Sequence, residues 1–565
     1  MKKQYWPSIL LLVVVLSLLV AACGPAATEA PPEPEPTEAA AAPEPTEAPA
    51  APEPTEAPAE EPAAEKKVLR VAYGSEIDTL NALTSQNLTD IEITMIDGLI
   101  MSDDNNSYIP VLAKEIPTTE NGGIVMLDDG KVEMTWNLYE GVQWHDGVEF
   151  TSEDVCFTWE FIVSDAGAAV YNQTEYQNII DCQAPDPYTV VFTWEKVYAP
   201  YASLFDTILP KHFLEGEDIL TYDAYNRSPL GTGPFKFAEW KSGEYVRVVK
   251  NENYWRGPDY PKLDEIIFTF IPDPNTRLNA LKAGEHDLGE ILPAQVAEVE
   301  DLEGYKTDIV NSNIWVYFGT NVATERGKML FGDKNVRHAL SLGFDRESIA
   351  TDLMEGTVEV AHTPITPSSP YHNPDVPKYA YDPEKAMQLL DEAGWTMGDD
   401  GIREKDGERF SFAIMNRMSR PERVAIAQVI QAQLKDIGVE VVFEDMENAA
   451  WIEKWLSTEW EAIVGGWIIP ADPSITALYA CDASNNFTGY CSEALDEAMH
   501  ASDGVFDFAD RKPLMDEVQA ILQDEVPQLP IYYQPRPYVL REDFENFKGS
   551  GTNLGSFWNS YEWDF

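Results

Sequence analysis

The sequence predicts an α/β protein divided into lobes, and three observations carry that expectation. Of 565 residues, about 500 lie beyond a low-complexity N-terminal stretch, too many for one hydrophobic core and enough for two or three domains. Helical patterns with their own start and stop residues are followed directly by short apolar strands, the grammar of α/β units. Hydrophobic residues make up 44% of the chain and aromatic residues 11%, with 15 tryptophans. That is enough for a large packed body with aromatic surface to spare.

Residues 1–23 read as an export signal. Lys2 and Lys3 precede an apolar run from Ile9 to Val20, and small residues then lead into Ala21-Ala22-Cys23-Gly24. A dozen apolar residues fall short of the ~20 that span a bilayer, so the run reads as a cleaved segment rather than a retained helix. The pattern resembles a bacterial lipobox, which implies diacylglycerol on the Cys23 sulfur and a mature chain tethered by lipid outside the membrane. From 24 to 66 the chain is almost only Ala, Pro, Glu and Thr, and Pro-Glu-Pro-Thr-Glu-Ala begins at Pro34, Pro43 and Pro52. Proline stiffness at ~3.1 Å per residue and glutamate repulsion give a disordered stalk reaching toward ~100 Å.

The body opens with an alternating strand, Val68 to Tyr73, that runs into the polar loop Gly74-Ser75-Glu76. A second strand starts at Met134 and leads to Trp144-His145-Asp146-Gly147, where Asp-Gly signals a turn. Thr151-Ser152-Glu153-Asp154 then has the form of a capping box, with Val155, Trp159 and Ile162 as the apolar stripe of the helix it starts. Farther on, Asp382 caps a helix with Pro383 at its first position and Gly394 at its end. The next helix opens at Pro421, sets Val424, Ala427, Ile430, Leu434 and Ile437 on one face, and stops at Gly438, directly before a strand from Val439 to Phe443.

A formal net charge of −58 argues against nucleic acid or an anionic membrane surface as partner, since both need Lys and Arg patches. Beyond Cys23 the cysteines are Cys156, Cys182, Cys481 and Cys491. An even number outside the cytoplasm predicts two disulfides, and the pairing of sequence neighbours is the simplest of three connectivities. No CxxC and no histidine at ligand spacing points to zinc, so neither a metal nor another cofactor is expected. The chain has no G-x-S-x-G, H-E-x-x-H or P-loop, so an exported hydrolase lacks a motif, and a surface adhesin is suggested by the stalk alone.

Several phrases together resemble one family, the family 5 extracellular solute-binding proteins of ABC importers, which take up peptides, nickel or oligosaccharides. They are Gly141-Val-Gln-Trp-His-Asp-Gly-Val-Glu-Phe-Thr-Ser-Glu-Asp-Val155, Pro229-Leu-Gly-Thr-Gly-Pro-Phe-Lys-Phe237, Asn335-Val-Arg-His-Ala-Leu with Phe344-Asp-Arg-Glu347, and Tyr381-Asp-Pro-Glu-Lys with Glu392-Ala-Gly-Trp395. The resemblance runs from about Val68 to the C-terminus. It implies a two-lobe periplasmic-binding-protein-like fold with an inserted subdomain, a hinge, and a ligand cleft between the lobes. On this chain the first lobe falls at 68–100, 226–320 and 541–565, the inserted subdomain at 101–225 and the second lobe at 321–540. It further implies a non-enzymatic, monomeric receptor, held at the outer face of the cytoplasmic membrane, that closes on its solute and hands it to permease subunits.

The same resemblance nominates the ligand residues. Gly74, Ser75 and Glu76 match a segment that borders the cleft. Trp315, Tyr317 and Asn321 lie where the chain crosses between lobes, with Asn321 the strongest of them. Trp467, after Gly465-Gly466, is the leading candidate, since an indole offers apolar area and a donor. Trp451, Tyr371 and Arg417 follow. His145 and Asp146 are expected to be architectural, and Gly231-Thr-Gly233 a tight connection rather than a phosphate cradle. Peptide-binding relatives carry an aspartate three residues past the tryptophan, where this chain has Pro470. Asp472 or Glu76 would have to meet a peptide's ammonium instead, and an oligosaccharide becomes a close alternative to an oligopeptide.

Overall fold

A computed structural model describes residues 66–85, 90–170, 173–552 and 555–565. The signal segment, Cys23 and the stalk lie outside the described residues. Among the described residues no helix is long and apolar enough to cross a membrane.

One large mixed sheet organises the body. Its strands run in the order Glu440–Met446, Ser411–Arg417, Ala462–Ile468, Tyr305–Thr320, Gln528–Arg541, Leu288–Glu290, Val68–Tyr73, Glu265–Phe270, Tyr245–Lys250 and Phe235–Lys241. The first half packs on both faces. Val316 and Phe318 point into a core with Ile426, Ile430 and Leu434, while Trp315, Tyr317 and Ile463 point into another with Trp451, Trp460 and Leu522. Alternation along one strand thus feeds two cores, as a strand buried on both sides requires. The second half of the sheet has its own core, where Val71 and Phe268 meet Phe557 and Trp563 from the C-terminal segment.

A separate four-stranded sheet, Ile124–Met126, Val132–Asn137, Thr189–Trp194 and Ile179–Asp186, carries a fourth core around Trp136, Phe192 and Trp194. Helix Ser152–Val163 covers it. Its start is set by the Asp154 carboxylate, which accepts from the Thr151 N–H at 2.9 Å and from the Lys211 N–H at 2.9 Å. Val155 and Ile162 are fully buried, and Trp159 only partly so. A disulfide joins Cys156 of this helix to Cys182 of the neighbouring strand, and a second joins Cys481 to Cys491.

Two strands belong to both halves of the large sheet. Tyr305–Thr320 pairs with Gln528–Arg541 from Tyr305↔Arg541 to Gly319↔Gln528, interrupted by a bulge between Val310 and Ile314. Before the bulge these strands lie beside the Val68–Tyr73 half; after it, Ile314 to Thr320 pair with Ala462–Ile468. The sequence-based edges at 320 and 541 fall at the ends of these strands, whereas the passage between halves falls inside them, at 311–313 and 534–536. The crossing is marked in sequence, where Asn311-Ser312-Asn313 and Gln534-Pro535-Arg536-Pro537 interrupt the apolar pattern of both strands.

At the bulge sits Asn313, only 2% exposed. Its Oδ1 accepts from Thr366 Oγ1 at 3.2 Å and Ser368 Oγ at 2.9 Å, its Nδ2 donates to Asn106 Oδ1 at 3.1 Å, and its N–H donates to the Gly551 carbonyl at 2.6 Å. One buried amide therefore ties four separate segments together at the crossing.

Candidate functional site

Ligands of open α/β sheets sit at the carboxyl ends of parallel strands, and each half of the large sheet offers such an end. In one half, Val68–Tyr73 runs parallel to both Glu265–Phe270 and Leu288–Glu290. Helix Pro274–Lys282 begins just beyond, with Pro274 at its first position and the Asp273 carboxylate accepting from the Thr276 N–H at 2.7 Å. From its first turn Arg277 reaches back across all three strand ends. Its Nε donates to the Glu290 carbonyl and its Nη1 to the Ile271 carbonyl, both at 2.8 Å, and a Cβ at Gly74 would stand 3.3 Å from Nη1. Glu290 accepts from Arg536 at 2.8 and 3.1 Å, and Arg536 also reaches Asp90 at 3.4 Å. Burial pushes the Glu290 carboxyl up, but Arg536 and then Arg277 and Arg420 outweigh it and hold the group below its ordinary range.

In the other half Ser411–Arg417 and Glu440–Met446 run parallel, joined by helix Pro421–Asp436. The helix follows its sequence signals closely. Gly438 takes a positive φ of 84° after its end, and Ala427, Ile430, Leu434 and Ile437 are buried, with Ile426 rather than Val424 completing the face. At its start the sequence places three cations. Arg417 ends the strand, donates from Nε to Asn448 Oδ1, and lies 5.4 Å from the centre of the Trp451 ring. Arg420 is the N-cap, makes no capping bond and is exposed. Arg423 turns inward over the Ala462–Ile468 strand, where a Cβ at Gly466 would fall 2.4 Å from its Nη2. Burial, followed by the charges of Arg420 and Arg423, pushes Arg417 down to about 9.

An aromatic depression lies on the opposite face of the same strand. Half-buried Trp467 is 5.9 Å from Trp455, which packs 4.3 Å from Phe487, with Tyr317, Trp460 and Gln528 completing the wall. Tyr317 lies flat over Gly465, whose absent side chain leaves it that space. The depression holds about one water molecule in this state.

The remaining sequence candidates are distributed as follows. Gly74 and Ser75 are exposed at the first strand end, and Glu76 accepts from Trp240 Nε1 at 3.2 Å. Asn321 is fully buried, its Nδ2 spent on the Thr458 carbonyl at 2.7 Å and its Oδ1 on the Ala323 N–H at 2.7 Å. It locks a strand end and does not line the cleft. Trp315 is likewise fully buried, and Trp451, 6% exposed, donates to the Met415 carbonyl, so both are core. Asp472 is engaged through one oxygen, while its buried Oδ1 makes no hydrogen bond among the described residues. Its Oδ2 accepts from Arg511 Nη1 at 2.7 Å, and the Arg511 guanidinium rests 5.0 Å from the Tyr371 ring centre. The Asp472 N–H in turn donates to the hydroxyl of Tyr108 at 3.2 Å.

The His145-Asp146-Gly147 turn meets the Gly231-Thr-Gly233 segment. His145 Nδ1 accepts from the Gly231 N–H at 3.3 Å and its Nε2 bonds the Gly233 carbonyl at 3.1 Å, so both ring nitrogens serve the backbone. Asp146 accepts from the Val148 N–H and bonds His212. The two phrases form a clamp, as their architectural reading expects.

Sequence reasoning missed Arg277, Arg420, Arg423 and Trp455. The signal available for two of them was the glycine itself: Gly74 and Gly466 are each covered by an arginine from a helix elsewhere in the chain.

Comparison with known proteins gives the chain's family. Residues 107–489 match the family model described as bacterial extracellular solute-binding proteins, family 5. Oligopeptide-binding protein AppA of Bacillus subtilis is 33% identical over 486 residues, 82% of this chain and 85% of that protein. The nickel-binding periplasmic protein of Escherichia coli is 27% identical over 504 residues, covering 86% and 92%. Among solved structures, AppA in complex with a nonapeptide superposes with a TM-score of 0.79 at 29% identity, covering 88% of this chain and 99% of that one. NikZ from Campylobacter jejuni with Ni(L-His) gives 0.78 at 27% identity, covering 88% and 100%.

Proposed function

The chain belongs to the family 5 bacterial extracellular solute-binding proteins, and from that premise we propose that it is the lipid-anchored receptor of an ABC importer, capturing a peptide-like solute by hinge closure. The observation that carries the reading is the arrangement of the two parallel strand ends. Charged side chains of both halves act on one another there, Arg420 on Arg277 and Glu290, and two long strands connect the halves. Contacts made from both halves exist only when the halves approach, so a solute that makes them shifts the population toward closure. The permease then reads the closed form, and Cys23 holds the receptor near it by lipid. Nothing in this sequence of events alters the solute covalently.

The peptide reading draws on AppA, whose structure contains a nonapeptide. An oligosaccharide is the second reading, favoured by Trp467, Trp455 and Phe487, which supply flat apolar faces for sugar rings. Titration of tryptophan fluorescence with defined peptide and oligosaccharide mixtures, paired with small-angle scattering, tests both. A saturable response to peptides with a smaller radius of gyration is expected. Absence of any bound small molecule, or turnover of one into product, overturns the receptor reading. A Cys23→Ser variant is expected to leave the membrane fraction for the medium.

A further inference from the structure

We propose that Glu175 is a positioning residue for closure: the inserted subdomain meets the second half around it, opposite Asp503 and Asp472, and the protein takes up a proton there as the halves close on the solute. The inference rests on the receptor reading above and adds a condition, mild acidity, under which the solute is held.

The four-stranded subdomain is carried with the first half. His145 clamps Gly231 and Gly233, and the Gly233 N–H donates at 2.9 Å to the carbonyl of Met95, whose side chain lies in the first half's core. The outer side of the subdomain meets the second half. The Tyr108 hydroxyl accepts from the Asp472 N–H at 3.2 Å, the short helix Ala199–Ser203 packs against helix Glu493–Asp503, and Tyr201 meets Phe506 edge-on at 5.8 Å. Phe506 follows that second-half helix and yet packs on the subdomain core. Among the described residues no strand pairing joins the two sides of this seam, so it forms as the halves approach and is lost as they part.

Carboxylates outnumber cations in the seam. Asp472 accepts from Arg511 at 2.7 Å, and Asp503 accepts from Ser474 and Thr476, with the buried Arg511 guanidinium no nearer to it than 3.8 Å. Glu175 stands on the subdomain side, and its Oε2 is shielded from water without a hydrogen-bond partner among the described residues. The groups that face it are Tyr176 on its own helix, Tyr198 next to helix Ala199–Ser203, and Asp503 from the second half; Asp472 and Arg511 act on the same Tyr198. No cation acts on Glu175 directly. Ionised, the carboxylate loses its hydration and meets a like charge; protonated, it is neutral and repels nothing.

Burial first and the Asp503 charge with it push the Glu175 carboxyl from its ordinary 4.5 up to about 7 in the closed seam. With the halves apart, water reaches the group and Asp503 withdraws, so it returns to the ordinary range. The closed form therefore binds the proton more tightly than the open one. By linkage this contribution to closure is fully present below about 4.5 and is lost as pH rises through about 7. Asp503 shifts in the same direction, with burial leading and its bond to Thr476 and the Arg511 charge opposing. The solute is thus gripped in a mildly acidic medium and let go more readily as pH rises.

The first measurement needs no solute. Small-angle scattering and amide hydrogen exchange of the intact protein, the exchange corrected for its intrinsic pH dependence, are compared at about pH 5.5 and about pH 7.5. The wild type is expected to have the smaller radius of gyration, and the better protected helix Ala199–Ser203, at the lower pH. Glu175→Gln, which keeps the group neutral, is expected to show the acid profile at both values. Phe506→Ala, which loosens the seam, is expected to show the neutral profile at both. The second measurement titrates the same proteins with histidine-free tri- to nonapeptides, and the wild type is expected to bind roughly tenfold tighter at the lower pH while both variants give flat profiles. Equal compaction of the wild type at both values, or a pH dependence that survives Glu175→Gln, overturns the inference and leaves the receptor reading intact. Acid compaction that Glu175→Gln makes permanent, in a protein that binds neither peptide nor oligosaccharide, supports the proton-linked seam and overturns the receptor reading.

Discussion

His145 illustrates how a residue typed as catalytic can serve the backbone. Burial pushes its imidazole down to about 4, with the bond to Gly233 opposing and Lys236 adding to the shift. Unfolded, the ring takes up its proton near pH 6.5. The stabilisation is thus fully present above 6.5 and is lost as pH falls toward 4, on the order of 3 kcal/mol in all. Glu92 acts in the opposite sense: burial raises it to about 8, so its contribution is present below about 4.5 and fades as pH rises to 8. Denaturant titrations from pH 4 to 8 are expected to give a His145→Gln variant with a flatter acid limb and a Glu92→Gln variant with a flatter alkaline limb. Asn313 is the second telling residue. Replacement by alanine removes the acceptor shared by the Thr366 and Ser368 hydroxyls, which are left with each other, and the donor to Asn106 Oδ1, and is expected to cost roughly 1–3 kcal/mol in the same titrations.

Among the elements, the two glycine phrases separate cleanly by what their missing side chains would strike. At Gly231 a Cβ would lie 2.0 Å from the Met95 carbonyl oxygen, and backbone cannot move aside. At Gly466 it meets the far end of Arg423, which can. Gly231→Ala is therefore expected to lower the melting temperature sharply or prevent folding. Gly466→Ala is expected to keep the fold while weakening solute binding, as read by fluorescence titration. Helix Pro421–Asp436 and the histidine turn were legible in sequence because their signals are local: a proline at the start, a glycine at the stop, a four-residue period. The carboxylate bond that starts helix Ser152–Val163 was legible for the same reason. Arg277 and Arg423 were not, since their meaning comes from strand ends brought to them by the fold. Asn321 misled because a polar residue at a crossing reads the same whether it faces a cleft or caps a strand.

At the scale of the molecule, one sheet is the scaffold of both halves. Its two longest strands run through the crossing, and their pairing shifts register at the bulge at 311–313 and again between Val316 and Tyr317. Closing motions preserve the cores of the halves and change only what lies between them. The fold class was visible from length, patterning and family phrases. The passage between the halves was not read, although Asn311-Ser312-Asn313 and Gln534-Pro535-Arg536-Pro537 interrupt both strands there, because the reading placed boundaries at strand ends. If closure depends on the charged cleft, scattering profiles with solute bound are expected to relax toward the open form as salt rises, since added ions weaken long-range pairing between the halves. A closed form indifferent to salt would place the driving force in the aromatic wall instead.

The Cys481–Cys491 bond brackets Asn485, Phe487 and Thr488, three contributors to that wall. A ten-residue loop fastened at both ends has few ways to collapse, so Phe487 is held upright against Trp455 even with nothing bound. With both thiols reduced, that stretch is free to shift away from Trp455 and the wall loses its fixed shape.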